Sequence, residues 1–469
     1  MSTEKSEAQK LKEALFLERK HGGLKLPEEE IRRAEWYCED YKKFLDSGKT
    51  EREVVTTAIA MAEKQGYEPY EYGRKYTAGD KVYLNNRGKS IVFALIGSDP
   101  IENGVNIMAS HIDSPRIDLK VNPVYEDGEL CLFKTHYYGG VKKYQWTAMP
   151  LALHGVVVRQ DGVSVTVSVG EDENDPVFCV TDLLPHLSAD QMKRTLGDGI
   201  RGEELNLLVG SYPYRDEEIS QAIKLNILRI LNEKYGMVEK DFRSAELSIV
   251  PAFKARDLGF DRSMVAAYGQ DDRVCAYTSL TALLHAETPC RTLVCVLADK
   301  EETGSGGTTG MNADYWRNLI AGIARPYGVD ARQVFANSKC LSADVNIAFD
   351  PTFPEVHEKM NVSFANYGVV LTKYTGARGK AGTSDASAEF TGEIQRMLDA
   401  NGVLWQTGNL GKVDQGGGGT VAGCLAQTDI DTIDIGVPVL SMHAPLEVAA
   451  KIDVYSTYRA FCAFAKHEG

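Results

Sequence analysis

After about residue 250, the order of apolar runs limits the fold more than any other feature of this sequence. Short runs rich in β-branched residues, such as 293–297 and 339–349, alternate with longer runs whose apolar residues recur at helical spacing, such as 272–286 and 312–325. A strand–helix–strand order is typical of parallel strands joined by crossover helices. The sequence therefore predicts an α/β domain in which helices cover both faces of a sheet.

The first part of the chain supplies further elements of the same kind. Residues 5–65 carry apolar side chains at three- and four-residue spacing and are predicted to be mostly helical. The β-branched runs 90–97 and 104–113 are broken by Gly, Pro and Asp, which suits buried strands. We predict that both ends of the chain, residues 1–119 and 251–469, build one discontinuous domain.

Residues 120–250 have a different, β-rich pattern. The predicted elements are a strand at 129–134, a hairpin at 152–170 with Asp161-Gly162 at its turn, and helices at about 188–195 and 216–235. In a chain of 469 residues, two domains are the first expectation. We therefore predict that residues 120–250 form a β-rich domain inserted into the α/β domain.

Composition and charge exclude some classes of partner. The formal net charge is −14 and there is no long Lys/Arg block, which argues against binding to nucleic acid. The nine cysteines include no CxxC pair, so we expect free thiols in a reducing compartment. The N-terminus lacks the apolar core of a signal peptide, and no apolar run approaches the roughly 20 residues that span a bilayer. We expect a cytoplasmic protein without a membrane partner.

Acidic or imidazole side chains follow or interrupt apolar runs at five places. The five places are His111 with Asp113, the pair Asp271-Asp272, the pair Glu301-Glu302, Asp344, and His443. Each has an ordinary structural alternative, because a lone histidine is often structural and an aspartate before a helix can cap it. Together they supply two imidazoles and at least three carboxylates at strand ends, where open α/β sheets place their sites.

The adjacent glutamates are the most informative of these places. Glu301 and Glu302 directly follow a buried run, where two carboxylates repel each other and are costly to desolvate unless a cation compensates them. A solvated turn is the alternative. Imidazoles and carboxylates without thiolates suit zinc, manganese or cobalt. In such a site Glu302 would bind metal, and Glu301 would take a proton from water as general base.

Five motifs in order connect the chain with a known family. They are His111-x-Asp113-Ser-Pro, Asp272 at the start of a helix, Glu301-Glu302-x-Gly-Ser, Ser-Ala-Asp344 and Ser-Met-His443. In these motifs the chain resembles a bacterial member of the aspartyl aminopeptidase family, whose members are di-zinc metallopeptidases. The resemblance extends over nearly the whole chain.

The resemblance implies a role for each of these residues. It implies that two divalent ions, zinc in the first place, are held by His111, Asp272, Glu302, Asp344 and His443. In that arrangement Asp272 bridges the ions, His111 and Asp344 hold one, and Glu302 and His443 hold the other. It also implies that Glu301 is the general base and that Asp113 orients His111.

Two departures from the family pattern concern these motifs. The family usually has Asn after the bridging aspartate, whereas Asp272 is followed by Arg273, so the choice between Asp271 and Asp272 stays open. His443 is followed by Ala-Pro-Leu-Glu, where many relatives have Ser. Neither change removes a type of ligand, but both weaken the transfer of the family's preference for N-terminal Asp or Glu.

The resemblance also implies an architecture and an assembly. The family has a catalytic α/β domain, with a mixed central sheet flanked by helices, and an inserted β-rich dimerisation domain. This division agrees with the one predicted from the pattern of runs. Family members form tetrahedral dodecamers that enclose their active sites, so a homo-oligomer is expected.

A preference for acidic substrates would require a cation near the site. Lys373, Arg378 and Lys380 lie in a Gly-rich loop, where one of them could pair with a substrate carboxylate or all could be solvated. His186, predicted in the inserted domain, could reach the site of a neighbouring subunit or lie on the surface.

The leading functional hypothesis is a metalloaminopeptidase that removes the N-terminal residue of peptides. A di-metal deacylase or carboxypeptidase could use the same ligands, and a non-catalytic oligomeric shell protein could keep the same scaffold. The presence of Glu301 argues against the shell protein, because loss of the base would be its simplest origin.

Overall fold

A nine-stranded mixed sheet is the largest element of the computed structural model, which describes residues 5–376 and 378–468. The strand order is β1-β2-β3-β14-β4-β15-β19-β17-β18. These strands are β1 (Glu68–Pro69), β2 (Lys81–Asn86), β3 (Ser90–Leu95), β4 (Asn106–His111), β14 (Leu293–Ala298), β15 (Lys339–Ala343), β17 (Val369–Thr372), β18 (Trp405–Thr407) and β19 (Asp431–Gly436). The centre of the sheet is parallel, since β14, β15 and β19 follow the direction of β4.

Both faces of this sheet are buried, as the sequence predicts. Along β3, Ile91, Phe93 and Leu95 enter one apolar core, whereas Val92 and Ala94 enter the other. Helices cover both cores. The first core is covered by α3 (Glu28–Ser47), α4 (Glu51–Glu63), α6 (Gln270–Leu284), α9 (Ala388–Ala400) and α11 (Lys451–Ala465), and the second by α7 (Tyr315–Ala324), α8 (Ala331–Ala336) and α10 (Ala422–Ala426). The short helices α1 (Glu7–Leu15) and α2 (Gly22–Lys25) contribute no residue to either core.

The second sheet has seven antiparallel strands, all drawn from residues 116–251, in the order β8-β7-β11-β5-β6-β10-β9. They are β5 (Arg116–Asp127), β6 (Leu130–Tyr138), β7 (Leu151–Val158), β8 (Ser164–Val169), β9 (Cys179–Val180), β10 (Leu207–Gly210) and β11 (Ala245–Pro251). Helix α5 (Ala222–Tyr235) packs against this sheet. We call residues 116–251, which contain this sheet, α5 and their connections, the β-rich unit. The domain boundaries at 119/120 and 250/251 stay a prediction.

The helices expected within the β-rich unit are partly wrong. The predicted hairpin is present, because β7 and β8 pair antiparallel. Residues 188–195, however, contain only the 3-10 turn Gln191–Lys193 instead of a helix. Leu187 and Met192 are exposed there, so no apolar face packs and a short helix gains no tertiary support. The second predicted helix begins only at Ala222.

A third sheet of five short strands was not predicted. Its order is β12-β13-β21-β20-β16, with β12 (Arg256–Leu258), β13 (Met264–Ala267), β16 (Asn346–Ile347), β20 (Pro438–Leu440) and β21 (Glu447–Ala450). The single strand predicted at 339–349 is wrong, because it is divided at Asp344 into β15 of the large sheet and β16 of this one. The small sheet therefore begins where the large one ends.

None of the helices in the described residues combines the length and the apolar character needed to cross a membrane.

Candidate metal centre

Three parallel strands of the large sheet place side chains at one edge. His111 is the last residue of β4, and it lies opposite Ala298 at the end of β14. Glu301 and Glu302 follow β14 in a 3-10 turn, Glu301–Thr303. Asp344 follows β15 directly. Because the carboxyl ends of parallel strands meet at the same edge, these four residues converge there.

The five-stranded sheet brings two more side chains to the same place. Asp271 comes shortly after β13, at the start of α6, with backbone angles that are not helical. His443 lies in the turn between β20 and β21, with a φ of 65°. The two sheets therefore contribute opposite sides of one cluster.

The ligand atoms of this cluster fall into overlapping groups. In each group the atoms lie within 4.8 Å of one another, and the groups are His111–Asp271–Asp344, Asp271–Glu302–His443 and His111–Glu301–Glu302. Asp271 belongs to two of them. Its Oδ1 lies 3.2 Å from His111 Nε2, and its Oδ2 lies 3.1 Å from His443 Nε2. One carboxylate thus faces both imidazoles.

The bridging role of Asp272 stays a prediction, but the geometry of the cluster favours its neighbour Asp271 for that role. The fully buried Asp272 joins none of these groups; instead, its carboxylate accepts the backbone N–H of His111 at 3.4 Å. The physical reason is the irregular start of α6. The φ/ψ angles are −81/109° at Asp271 and −114/29° at Asp272, so the register of a regular helix does not apply to the pair. Of the two aspartates that the sequence left open, Asp271 is the one whose carboxylate lies in the candidate ligand groups.

The charges of the cluster are poorly compensated by protein groups. Burial, followed by repulsion from Asp271, raises the pKa of Glu302 well above its usual value. Burial and repulsion from Asp272 do the same to the pKa of Asp344. Burial alone would lower the pKa of His443, but contact with Asp271 raises it to about 10.

The donor set fits a divalent cation. Among the described residues, the buried oxygens Asp271 Oδ1 and Glu302 Oε1 accept no hydrogen bond, although an unpaired buried carboxylate is costly. Two imidazole nitrogens and several carboxylate oxygens without thiolate are the ligands that zinc, manganese and cobalt share. A cation between these groups would relieve the repulsion.

Asp113 is a buried anchor for the large-sheet side of the cluster. Its Oδ1 accepts the backbone N–H of Glu301 at 3.1 Å, and its Oδ2 accepts that of Glu302 at 3.2 Å. The His111 ring contacts the same residue twice, with Nδ1 3.0 Å from the carbonyl oxygen and 3.3 Å from Oδ1. These contacts leave His111 Nε2 directed at the cluster.

Glu447 plays the corresponding part on the other side, and sequence reasoning missed it. The side chain is buried in β21, where Oε2 accepts the backbone N–H of Asp271 at 3.0 Å and Oε1 that of His443 at 2.7 Å. Burial and repulsion from Asp271 raise the pKa of Glu447 to about 8. The available signal was an acid in the apolar stretch that follows His443.

None of the residues predicted to bind substrate belongs to these groups of ligand atoms. Lys373 and Lys380 both contact Asp385, at 2.7 and 2.9 Å. Arg378 lines a cavity of about 160 Å³ with residues of the 409–416 loop. His186 is exposed in the 3-10 turn Pro185–Leu187 of the β-rich unit.

A larger cavity adjoins the cluster itself. It has a volume of about 540 Å³, and His443 and Gly140 lie in its wall. Most of the remaining wall is apolar, and Asp350 and Lys142 are among its few charged residues. A peptide could reach the cluster through this cavity.

The fold and the histidine–carboxylate cluster define a metallopeptidase. The chain belongs to the family described as "Aminopeptidase I zinc metalloprotease (M18)", whose sequence model matches residues 44–465. It is therefore an aminopeptidase of a zinc metalloprotease family, as the resemblance predicted. The family description and the names of the relatives given below support neither a deacylase, nor a carboxypeptidase, nor a shell protein.

Individual relatives agree with this assignment. A protein of Clostridium acetobutylicum named probable M18 family aminopeptidase 1 is 52% identical over 432 residues, which cover 90% of this chain and 93% of the relative. The crystal structure of an M18-family aminopeptidase from Thermotoga maritima has a TM-score of 0.92 at 42% identity, covering 96% of this chain and 100% of that chain. The S. cerevisiae mApe1 dodecamer has a TM-score of 0.75 at 22% identity, covering 92% and 96%, which shows a shared fold.

Proposed function

We propose that this aminopeptidase releases the N-terminal residue of peptides at a centre of two divalent ions, zinc in the first place, that share Asp271. The observation that carries this proposal is the placement of Asp271, whose two oxygens face His111 and His443 at 3.2 and 3.1 Å. A carboxylate with one oxygen toward each of two imidazoles is suited to bridge two ions.

Each ion would have its own ligands besides Asp271. His111 and Asp344 would hold one ion, because Nε2 and Oδ1 of these residues lie 3.9 Å apart. Glu302 and His443 would hold the other, because Oε1 and Nε2 lie 3.5 Å apart. When bound, the two ions would polarise the scissile carbonyl and make water more acidic.

Glu301 is the proposed general base. It adjoins His111 and Glu302 in the cluster but belongs to neither group that contains Asp271, so it is available for proton transfer. Burial raises the pKa of its carboxyl group, which favours a proton acceptor that can later donate. Glu301 would take a proton from the attacking water and deliver it to the leaving amine. Asp113 would hold the backbone of Glu301 in place, through the 3.1 Å hydrogen bond.

The substrate would enter through the 540 Å³ cavity beside His443 and place its free α-amine next to the ions. A preference for N-terminal Asp or Glu would require Lys373, Arg378 or Lys380, or His186 from a neighbouring subunit, to bind the substrate carboxylate. Lys373 and Lys380 are already paired with Asp385, so Arg378 is the strongest candidate of the loop. Profiling aminoacyl amides with acidic, basic and apolar side chains tests this preference.

We also propose a homo-oligomer that is built from dimers through the β-rich unit, with a dodecamer as the complete form. The yeast relative described as a dodecamer supports this assembly. All nine cysteines are free thiols, which supports a cytoplasmic location. Light scattering on the purified protein measures the assembly directly.

The experiment that tests the proposed reaction compares a peptide with a free N-terminus and its N-acetylated form. We expect hydrolysis of the free peptide with release of the first residue, and loss of nearly all activity on the blocked peptide. Equal rates on both would contradict an aminopeptidase. Metal analysis of the same preparation should give two divalent ions per chain, and a single ion would contradict the shared role of Asp271.

A further inference from the structure

Three consecutive residues of the β-rich unit contact the metal centre. Strand β6 ends at Tyr138, and Gly139 and Gly140 continue from it toward the cluster. Each of the three touches a different part of the centre. The residues around the centre are therefore contacted by the β-rich unit as well as by the α/β part of the chain.

Tyr138 contacts the large-sheet side through Asp113. Its hydroxyl donates a hydrogen bond of 2.8 Å to Asp113 Oδ2, the oxygen that also accepts the N–H of Glu302. The ring is held by the guanidinium of Arg116, 4.1 Å from the ring centroid. Tyr138 thus fixes the carboxylate that orients His111.

Gly139 packs against Glu302. Its φ is 70°, and a Cβ built on it would lie 3.2 Å from Glu302 Cβ and 3.3 Å from Glu302 Oε2. The position therefore favours glycine for two reasons, the left-handed backbone and the space that Glu302 occupies. A larger residue would displace the Glu302 side chain.

Gly140 orients His443. The carbonyl oxygen of Gly140 lies 3.0 Å from His443 Nδ1. A carbonyl can only accept, so Nδ1 carries a hydrogen, and Nε2 is the nitrogen whose lone pair would bind a cation once that nitrogen has released its proton. The carbonyl of Asp113 does the same for His111 at 3.0 Å. Both rings are thus turned with Nε2 toward the cluster, the orientation in which each would bind metal.

We propose that Tyr138-Gly139-Gly140 is a positioning segment by which the β-rich unit sets the metal affinity of both proposed ion sites. Tyr138 acts through Asp113, which contacts both the His111 ring and the backbone of Glu302. Gly139 and Gly140 act on the site of Glu302 and His443. The inference rests on the proposed function only in taking the cluster as the metal centre. It adds that a shift of the β-rich unit would change metal binding and turnover together.

The first test is Tyr138→Phe, with Tyr137→Phe as the matched control. The Tyr138→Phe substitution keeps the ring beside Arg116 and removes only the hydroxyl. Tyr137 is 42% exposed, and within the described residues its side chain forms no hydrogen bond to the metal centre. Zinc and cobalt affinities are measured on the full chain by competition with a chromophoric chelator. The visible spectrum of the cobalt form reports the ligand geometry.

We expect Tyr138→Phe to weaken metal binding and lower kcat by roughly 10–100-fold, the range usual for groups that support a ligand, with KM nearly unchanged. The cobalt spectrum should shift. Tyr137→Phe should stay within about twofold of wild type, because it removes no contact to the centre. Wild-type affinity and spectrum in Tyr138→Phe would overturn the inference.

A second variant tests the proposed ion site of Glu302 and His443. Gly139→Ala should weaken the site of Glu302 and His443 more than the site of His111, giving two separated affinities. If this variant does not fold, the isosteric Tyr138→Phe still decides the question. If the wild-type protein binds two ions but cleaves no peptide, only the proposed function is contradicted. The metal affinities of the variants would still test the positioning segment.

Discussion

The two halves of the metal centre are supported by different kinds of backbone. Grouped by the sheet that supports them, and not by the ion that they would bind, the proposed ligands form two halves. The half with His111, Glu302 and Asp344 lies at the ends of parallel strands, and those strands are buried on both faces. The half with Asp271 and His443 lies between short strands of three or four residues, with Asp271 at the irregular start of α6 and His443, whose φ is 65°, in a turn. A buried carboxylate holds the backbone in each case, Asp113 in the first and Glu447 in the second.

The difference shows two ways to make ligands rigid. In the first half, the pairing of long strands already fixes where side chains emerge, and Asp113 completes the arrangement. In the second half there is little regular structure, so Glu447 ties Asp271 to His443 directly. We therefore expect the second half to depend more strongly on its single supporting carboxylate than the first.

The largest effect should come from the shared ligand. Asp271→Asn removes the charge that both proposed ion sites share, so we expect loss of both ions and a fall in kcat/KM beyond the roughly 10²–10⁴-fold that a general base contributes. Asp272→Asn is the matched control. Asp272 accepts the backbone N–H of His111 through Oδ2, and an amide oxygen at this position can accept the same hydrogen bond. Equal metal loss in both variants would remove the distinction between the two aspartates.

The next largest effect should come from Glu301→Gln, which leaves both halves intact. We expect two bound ions, an unchanged assembly and a fall in kcat of roughly 10²–10⁴-fold, because only proton transfer is lost. Metal analysis and steady-state kinetics on one preparation measure both quantities. Unchanged turnover would exclude Glu301 as the base, and loss of metal would make it a ligand instead.

The two supporting carboxylates test the comparison itself. Glu447→Gln and Asp113→Asn should each weaken metal binding or activity by roughly 10–100-fold, with the larger loss for Glu447→Gln. The expected order follows from the short strands around Asp271 and His443. Chelator competition gives the affinities of the two sites separately. A larger loss in Asp113→Asn would reverse the comparison.

The smallest effect concerns a contact far from the metal ligands. His154 of the β-rich unit contacts Glu53 of α4 at 2.7 Å and Glu171 at 3.0 Å. Burial alone would lower the pKa of His154, but the two glutamates raise it. Its stabilisation is therefore complete below the unfolded pKa of about 6.5 and is lost as the pH rises through the higher folded value.

His154→Gln should lower the free energy of unfolding by about 1.5–3 kcal/mol at pH 6, the range for a hydrogen bond to a charged group. The difference from wild type should shrink as the pH rises, and metal affinity should stay unchanged. Denaturant unfolding of both proteins at a series of pH values measures this difference in the free energy of unfolding. A difference that grows with pH would show that His154 is neutral in the folded protein.

The sequence predicted the first half of the centre better than the second. Parallel strands end at one edge, so an acid or imidazole after β4, β14 or β15 could be placed from the order of runs alone. Asp271 and Glu447 could not be placed in this way. Their positions depend on strands too short to give a pattern and on non-helical angles at the start of α6, which tertiary contacts select.

The same limit explains the errors in the fold. The two faces of the large sheet could be predicted because alternation along strands such as β3 is a strong signal. The division of 339–349 at Asp344 could not, since one polar residue in an apolar run does not reveal that the chain changes sheets. The expected helix at 188–195 lacks a surface to pack against.

Anomalous diffraction at the zinc edge, from crystals of the zinc-loaded protein, would show whether two ions share Asp271. We expect two peaks, one on each side of the Asp271 carboxylate, with the first beside His111 and Asp344 and the second beside Glu302 and His443. A single peak, or a pair of peaks joined by Asp272 instead of Asp271, would contradict it.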